Sequence, residues 1–176
     1  VFLPMSANKK QVESMIRVNY AGEYAAKMIY TAQEKFTKDP HTKAKIIEMK
    51  EQELEHLDYF EQELKNRNIR PSLLMPAWHV VSYALGSVSA ILGKKSAMAC
   101  TIAVEEVITE HYQQQLNSLG EDEAELKSKI QKFKDDEDEH RETAIEHDGK
   151  SAPFYRIFSN IVKFGSKSAI EIAKKI

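Results

Sequence analysis

The sequence is short of the residues that punctuate strands and tight loops: it has 6 glycines and 5 prolines among 176 residues. A sandwich or barrel of short strands needs a turn signal about every 8–12 residues, and no such series is present. A single cysteine, Cys100, excludes an internal disulfide framework and a cysteine-built zinc finger. Positive charge is not in excess, since 25 Lys and Arg face 27 Asp and Glu for a net charge of −2. Nucleic acid is therefore not an expected partner. Because the chain opens on Val1, the lack of a targeting peptide excludes nothing.

Helix-forming material fills the space left by these absences. Charged residues make up 30% of the chain, and its length suits one domain, taken here as residues 1–176, with one sizeable core. Six helices are expected, at about 11–36, 42–65, 72–92, 96–119, 122–147 and 153–176. Asp39 can cap the second and Pro40 can open it, while Gly120 and Gly149 stand where the fourth and fifth should stop. The expected class is all-α, a four-helix bundle with two further apolar helices.

Two helices carry an apolar stripe with the same interruption. Ile46, Met49, Glu53, His56, Phe60 and Leu64 follow one another at steps of three and four, and so do Leu126, Ile130, Phe133, Glu137, His140 and Ala144. A carboxylate and an imidazole on a core face carry a desolvation cost that something must offset. The two halves also align: Lys50 to His56 and Lys134 to His140 share the pattern Lys, acid, any, Glu, any, Glu, His. Glu23 precedes Tyr30 by the same interval that separates Glu105 from Tyr112. Duplication of a two-helix unit explains both matches and builds a pseudo-symmetric bundle.

Glu-x-x-His places both side chains on one helix face. Two such helices, each with a partner helix adding one Glu, supply four carboxylates and two imidazoles. The expected metal ligands are Glu23, Glu53, His56, Glu105, Glu137 and His140, with Glu106 as the alternative to Glu105. Two divalent ions would neutralise the four carboxylates, and oxygen and imidazole donors suit iron or manganese.

Ala21-Gly22-Glu23-Tyr24, Glu53-Leu54-Glu55-His56, Leu73-Leu74-Met75-Pro76-Ala77-Trp78, Leu92-Gly93-Lys94, Ala97-Met98-Ala99-Cys100-Thr101, Ala103-Val104-Glu105-Glu106, His111-Tyr112 and Glu137-Asp138-Glu139-His140 resemble the 5-demethoxyubiquinone hydroxylases, from about Ile16 to the C-terminus. The family usually has Asp-His where Asn19-Tyr20 stands and a second His where Arg141 stands. The resemblance implies a ferritin-like di-iron monooxygenase of ubiquinone biosynthesis. Its substrates would be a membrane-embedded polyprenyl demethoxy-quinol and O₂, with NADH or the quinol as reductant. It also implies Tyr112 and His111 beside the metal ligands, a lipid-binding accessory protein and a possible homo-oligomer. The expected location is peripheral to a membrane: the matrix face of the mitochondrial inner membrane in a eukaryote, the cytoplasmic face of the plasma membrane in a bacterium. A ferritin-like iron store or a peroxide-detoxifying protein would use the same ligands.

Pro71 to Gly93 contains no formal charge and could span a bilayer by length. Half of the proposed ligands precede it and half follow, so a single crossing would divide the metal site between two compartments. The segment is therefore expected to lie in the interface, with Trp78 and His79 at the mouth of the site. In the last helix Phe154, Ile157, Phe158, Ile161, Ile172 and Ile176 form an apolar band. Arg156, Lys163, Lys167, Lys174 and Lys175 are expected to attract anionic lipid.

Overall fold

A polar residue in extended backbone opens each of the first two helices. In the computed structural model, which describes residues 7–176, the Asn8 side chain accepts from the Gln11 backbone N–H at 3.1 Å. The Gln11 side chain accepts from the Asn8 N–H at 2.8 Å. This capping box starts α1 (Lys9–Phe36) slightly before its apolar stripe begins. Asp39 likewise accepts from the Thr42 backbone N–H at 2.9 Å and opens α2 (Pro40–Asn66), with Pro40 in the first turn, where its missing N–H costs nothing.

Four further helices follow: α3 (Met75–Ile91), α4 (Lys94–Ser118), α5 (Ala124–Glu146) and α6 (Tyr155–Ala173). No strand occurs among the described residues; residues 1–6 of the expected domain lie outside them. Both glycine stops act differently from expectation. Gly120 has φ −89°, so α4 ends without a left-handed residue, and Glu121–Glu123 form a 3₁₀ turn before α5. Gly149 lies in a second 3₁₀ turn, where a Cβ would come within 2.6 Å of Ile102 Cδ1 and 2.8 Å of the Ala144 carbonyl oxygen. Space, not φ, requires glycine there; the left-handed residue is its neighbour Asp148, at φ 66°.

α1 packs on α2 and α4 on α5, and the two pairs meet through α1 with α4 and α2 with α5. The expected bundle is present, but the repeat is larger than two helices. α3 lies along α1, and α6 lies along α4. Each half is thus a three-helix unit, and the third member escaped the sequence comparison because it carries no ligand motif. Close approach of α3 to α1 depends on Gly86, where a Cβ would sit 2.3 Å from the Ile29 carbonyl oxygen.

Two apolar clusters fill the bundle. Val12, Ile16, Phe60, Tyr112, Leu126, Ile130 and Phe133 pack at one end. Ala26, Tyr30, Ile46, Met49, Met98, Ile102 and Ala144 pack at the other. Along each of the four central helices, the polar stripe residues fall between a member of one cluster and a member of the other.

The 17 residues of α3 rise about 26 Å at roughly 1.5 Å per residue, short of a hydrocarbon core of about 30 Å. Among the described residues no helix is long and apolar enough to cross a membrane. α3 and α6 nevertheless expose large apolar side chains, including Val80, Val88, Ile91, Phe154, Ile157, Ile161 and Phe164.

Candidate metal centre

The layer between the two apolar clusters contains all six residues expected as ligands. Glu23 comes from α1, Glu53 and His56 from α2, Glu105 from α4, and Glu137 and His140 from α5. None is more than 1% exposed. Their donor atoms form two overlapping sets, Glu23/Glu53/His56/Glu137 and Glu53/Glu105/Glu137/His140, with the atoms of each set within 4.8 Å of one another. Glu53 and Glu137 belong to both. Glu106, the alternative to Glu105, points the other way and pairs with Lys163 on α6.

The imidazoles turn their Nδ1 atoms inward. His56 Nδ1 lies 3.1 Å from Glu137 Oε1 and 3.6 Å from Glu23 Oε2. His140 Nδ1 lies 3.0 Å from Glu137 Oε2 and 3.2 Å from Glu53 Oε1. Their Nε2 atoms are held from outside by the opposite helix. His56 Nε2–H donates to Asp136 Oδ2 at 3.0 Å, and His140 Nε2–H donates to Gln52 Oε1 at 2.5 Å. Each contact fixes the ring orientation and leaves Nδ1 facing the carboxylates.

Two tyrosines buttress the outer carboxylates across the bundle: Tyr112 donates to Glu23, and Tyr30 donates to Glu105. Tyr112 therefore lies beside Glu23, one of the expected ligands. His111 does not touch the cluster; its Nε2 lies 2.7 Å from Gln115 Nε2. Gln115 and Asn19 exchange amide hydrogen bonds of 2.7 and 2.8 Å, so Asn19 is part of a buried clamp between α1 and α4. Arg141 faces the surface, 3.1 Å from Asp138 and 3.2 Å from Glu142. Tyr30, Gln52 and Asp136 are the site residues that sequence reasoning passed over. Tyr30 was visible as the repeat partner of Tyr112, whereas Gln52 and Asp136 occupy one of the two positions of the repeat where the halves do not match.

The electrostatics of the cluster fit a cation site. Burial raises the carboxyl pKa values of Glu23, Glu53 and Glu105 above the ordinary range. Burial also acts to raise Glu137, but hydrogen bonds from His140 and His56 overcome it and hold that carboxyl low. Burial would lower both histidines, yet the carboxylates around them prevail and pull His56 up to about 12 and His140 up to about 11. Among the described residues, Glu23 Oε2, both Glu53 oxygens and Glu105 Oε2 are buried with no donor in bonding geometry. A carboxylate left so is costly unless a positive charge reaches it. This hard oxygen and imidazole donor set, with unsatisfied oxygens turned inward, fits two divalent ions of the iron or manganese type.

Beside the cluster lies a cavity of about 390 Å³ between α1, α3, α4 and α6. Val18, Ala25, Leu85, Val104 and Val107 make its wall apolar, Trp78 and His111 also line it, and it reaches Glu23 and Tyr112. Val81, Ile161 and Ile172 line it too and are exposed outside, so it opens between α3 and α6 on the apolar face of the molecule. His79 is bound instead to the Tyr24 hydroxyl, 2.7 Å from its Nδ1.

Comparison with known proteins gives the family. Residues 10–173 match the family described as ubiquinone biosynthesis protein COQ7. A relative from Dictyostelium discoideum, named NADPH-dependent 3-demethoxyubiquinone 3-hydroxylase, mitochondrial, is 45% identical over 96% of this chain and 79% of its own length. The human protein of the same name is 38% identical, over 96% of this chain and 80% of its own. A Rhodospirillum rubrum relative named 3-demethoxyubiquinol 3-hydroxylase is 38% identical over 94% and 78%. The chain belongs to the COQ7 family of ubiquinone biosynthesis proteins.

Proposed function

We propose that this chain is a di-iron monooxygenase that hydroxylates the ring of a polyprenyl demethoxy-quinol in ubiquinone biosynthesis, working at a membrane surface. The observation that carries the reading is the buried four-carboxylate, two-histidine cluster at the end of an apolar cavity open to an apolar face. In outline, a ring C–H, O₂, two electrons and two protons give a ring C–OH and water. The names of the relatives point to NADPH as the source of the electrons.

Glu23 with His56 and Glu105 with His140 would each hold one ion, and Glu53 and Glu137 would touch both. When bound, two iron ions would supply the redox chemistry that activates O₂. The protein's part is to hold, orient and exclude. Tyr112 and Tyr30 fix the outer carboxylates, and Asp136 and Gln52 fix the imidazoles. The apolar wall excludes water from the reacting ring and accepts an apolar head group with its tail. The mouth framed by Val81, Ile161 and Ile172 lets a substrate dissolved in lipid enter sideways while the metal cluster stays out of the bilayer.

The test is anaerobic reconstitution with Fe(II), then exposure to ¹⁸O₂ with a demethoxy-quinol and a reductant, with the ring product followed by mass. One labelled oxygen on the ring, lost in Glu137→Ala, is the expected result. Oxidation of iron to a mineral with the quinol unchanged would replace this reading with iron storage.

A further inference from the structure

We propose that Asp136 and Gln52 make the two halves of the ligand cluster unequal, so that the Glu23–His56 position binds a divalent cation more tightly than the Glu105–His140 position and fills first. The inference rests on the metal-binding reading above and goes beyond it to the order of filling.

The inner ligands are matched in pairs. Each position has one histidine, one carboxylate carrying a tyrosine hydroxyl bond, and a share of Glu53 and Glu137. The residue behind each histidine breaks the match. Gln52 and Asp136 occupy the same place in the duplicated motif, immediately before Glu53 and Glu137. Each reaches across the α2–α5 contact to the Nε2 of the other helix's histidine. His56 therefore donates to a carboxylate, and His140 donates to a neutral amide oxygen.

A carboxylate acceptor draws the Nε2 proton toward itself and leaves more electron density on Nδ1, the atom facing the ion. Lys132 Nζ lies 2.8 Å from the Asp136 oxygen that His56 uses, so the carboxylate acts on His56 through its hydrogen bond and not as a free charge. No comparable pairing reaches Gln52, because an amide has no charge to hold. The duplication thus arrives at a pseudo-symmetric cage with a directional difference placed one layer outside it.

The experiment is a calorimetric titration of the metal-free full chain with Fe(II) under anaerobic conditions, with ⁵⁷Fe Mössbauer spectra at one and two equivalents. The wild type should bind in two steps, and one equivalent of ⁵⁷Fe(II) should give a single quadrupole doublet. Asp136→Asn should weaken the first step by about 10–100-fold and leave the second near its wild-type value. Gln52→Glu should strengthen the second step until the two merge and one equivalent spreads over both positions. If Asp136→Asn does not fold, Gln52→Glu carries the test alone. Two equal wild-type sites, or a Gln52→Glu isotherm superimposable on the wild type, overturn the inference and leave the metal-centre reading standing. No bound iron in the wild type overturns both.

Discussion

Tyr112 on α4 donates its hydroxyl to Glu23 on α1, and its repeat counterpart Tyr30 on α1 donates to Glu105 on α4. Each half of the duplicated bundle thus positions a candidate ligand carboxylate of the other half, and the pair crosses the α1–α4 contact in both directions. A hydrogen bond to a buried charge contributes about 1.5–3 kcal/mol net. Glu23 Oε2 already lacks a donor, so Tyr112→Phe strips the carboxylate of the hydroxyl as well. The metal-free variant should lose about 1.5–3 kcal/mol in urea denaturation. With Fe(II) bound, the loss should be smaller, because the cation satisfies the same oxygens. Equal losses in both conditions would separate Tyr112 from the metal site.

Glu105 and Glu106 are sequence neighbours with opposite environments. Glu105 is 1% exposed inside the cluster, and Glu106 meets Lys163 at the α4–α6 surface. Glu105→Gln should remove a charge that one cation position depends on and lower bound iron from two ions to one or none. Glu106→Gln should keep full stoichiometry and change stability by no more than about 1 kcal/mol, the usual value of a surface pair. Iron analysis of the two purified variants decides the assignment; loss of iron in Glu106→Gln alone would reverse it.

The centre was legible in the sequence where duplication and helical periodicity act together. Glu53 with His56 and Glu137 with His140 interrupt apolar stripes at matching places, a pattern that survives without any knowledge of packing. The contacts that tune the centre were not legible, since they depend on which helices face each other. Gln52 and Asp136 sit one residue before a ligand on the same helix but act on the histidine of the opposite one. Tyr30 is seven residues from Glu23 yet bonds Glu105, 75 residues away. α3 was seen only as an uncharged segment and α6 as an amphipathic one, because their partners are fixed by packing, such as the close approach of α3 to α1 at Gly86. Lys163 and Lys167, expected to attract anionic lipid, pair with Glu106 and Glu110 on α4.

Protonation of the centre predicts an unusual pH dependence for the metal-free chain. Folded pKa values of about 12 for His56 and about 11 for His140 lie above the ordinary 6.5. Their contribution to stability is therefore complete below about pH 6.5 and is lost as pH rises toward the folded values. Burial raises Glu23, Glu53 and Glu105 as well, a shift that acts in the same direction. Glu137 is held low, but it is ionised in both states above about pH 6 and adds no slope there. The melting temperature of the metal-free protein should fall from about pH 6 to about pH 9. Fe(II) binding should tighten over the same interval, since the cation displaces protons from Nδ1. A melting temperature that rises over this interval would contradict the assigned charge states.

The proposed membrane-facing role of α3 and α6 can be tested without touching the candidate metal ligands. Val81, Ile161 and Ile172 are at once cavity wall and outer surface, so the route to Glu23 begins on the apolar face. Among the basic residues of the last helix, Lys163, Lys167 and Lys174 are engaged with Glu106, Glu110 and Glu171. Arg156 and Lys175 make no ion pair among the described residues, which leaves them as the charges available to a lipid headgroup. A basic residue near an anionic bilayer contributes about 1 kcal/mol, so reversing both to Glu should weaken binding to anionic vesicles by at least about tenfold. Binding to neutral vesicles should change little. Ile161→Glu places a charge at the mouth itself and should reduce hydroxylation of a long-tailed quinol far more than that of a short-tailed, water-soluble one. Equal losses with both substrates would mean that Ile161 supports the cavity wall but does not frame the lipid entrance, and substrate would then have to arrive by another route.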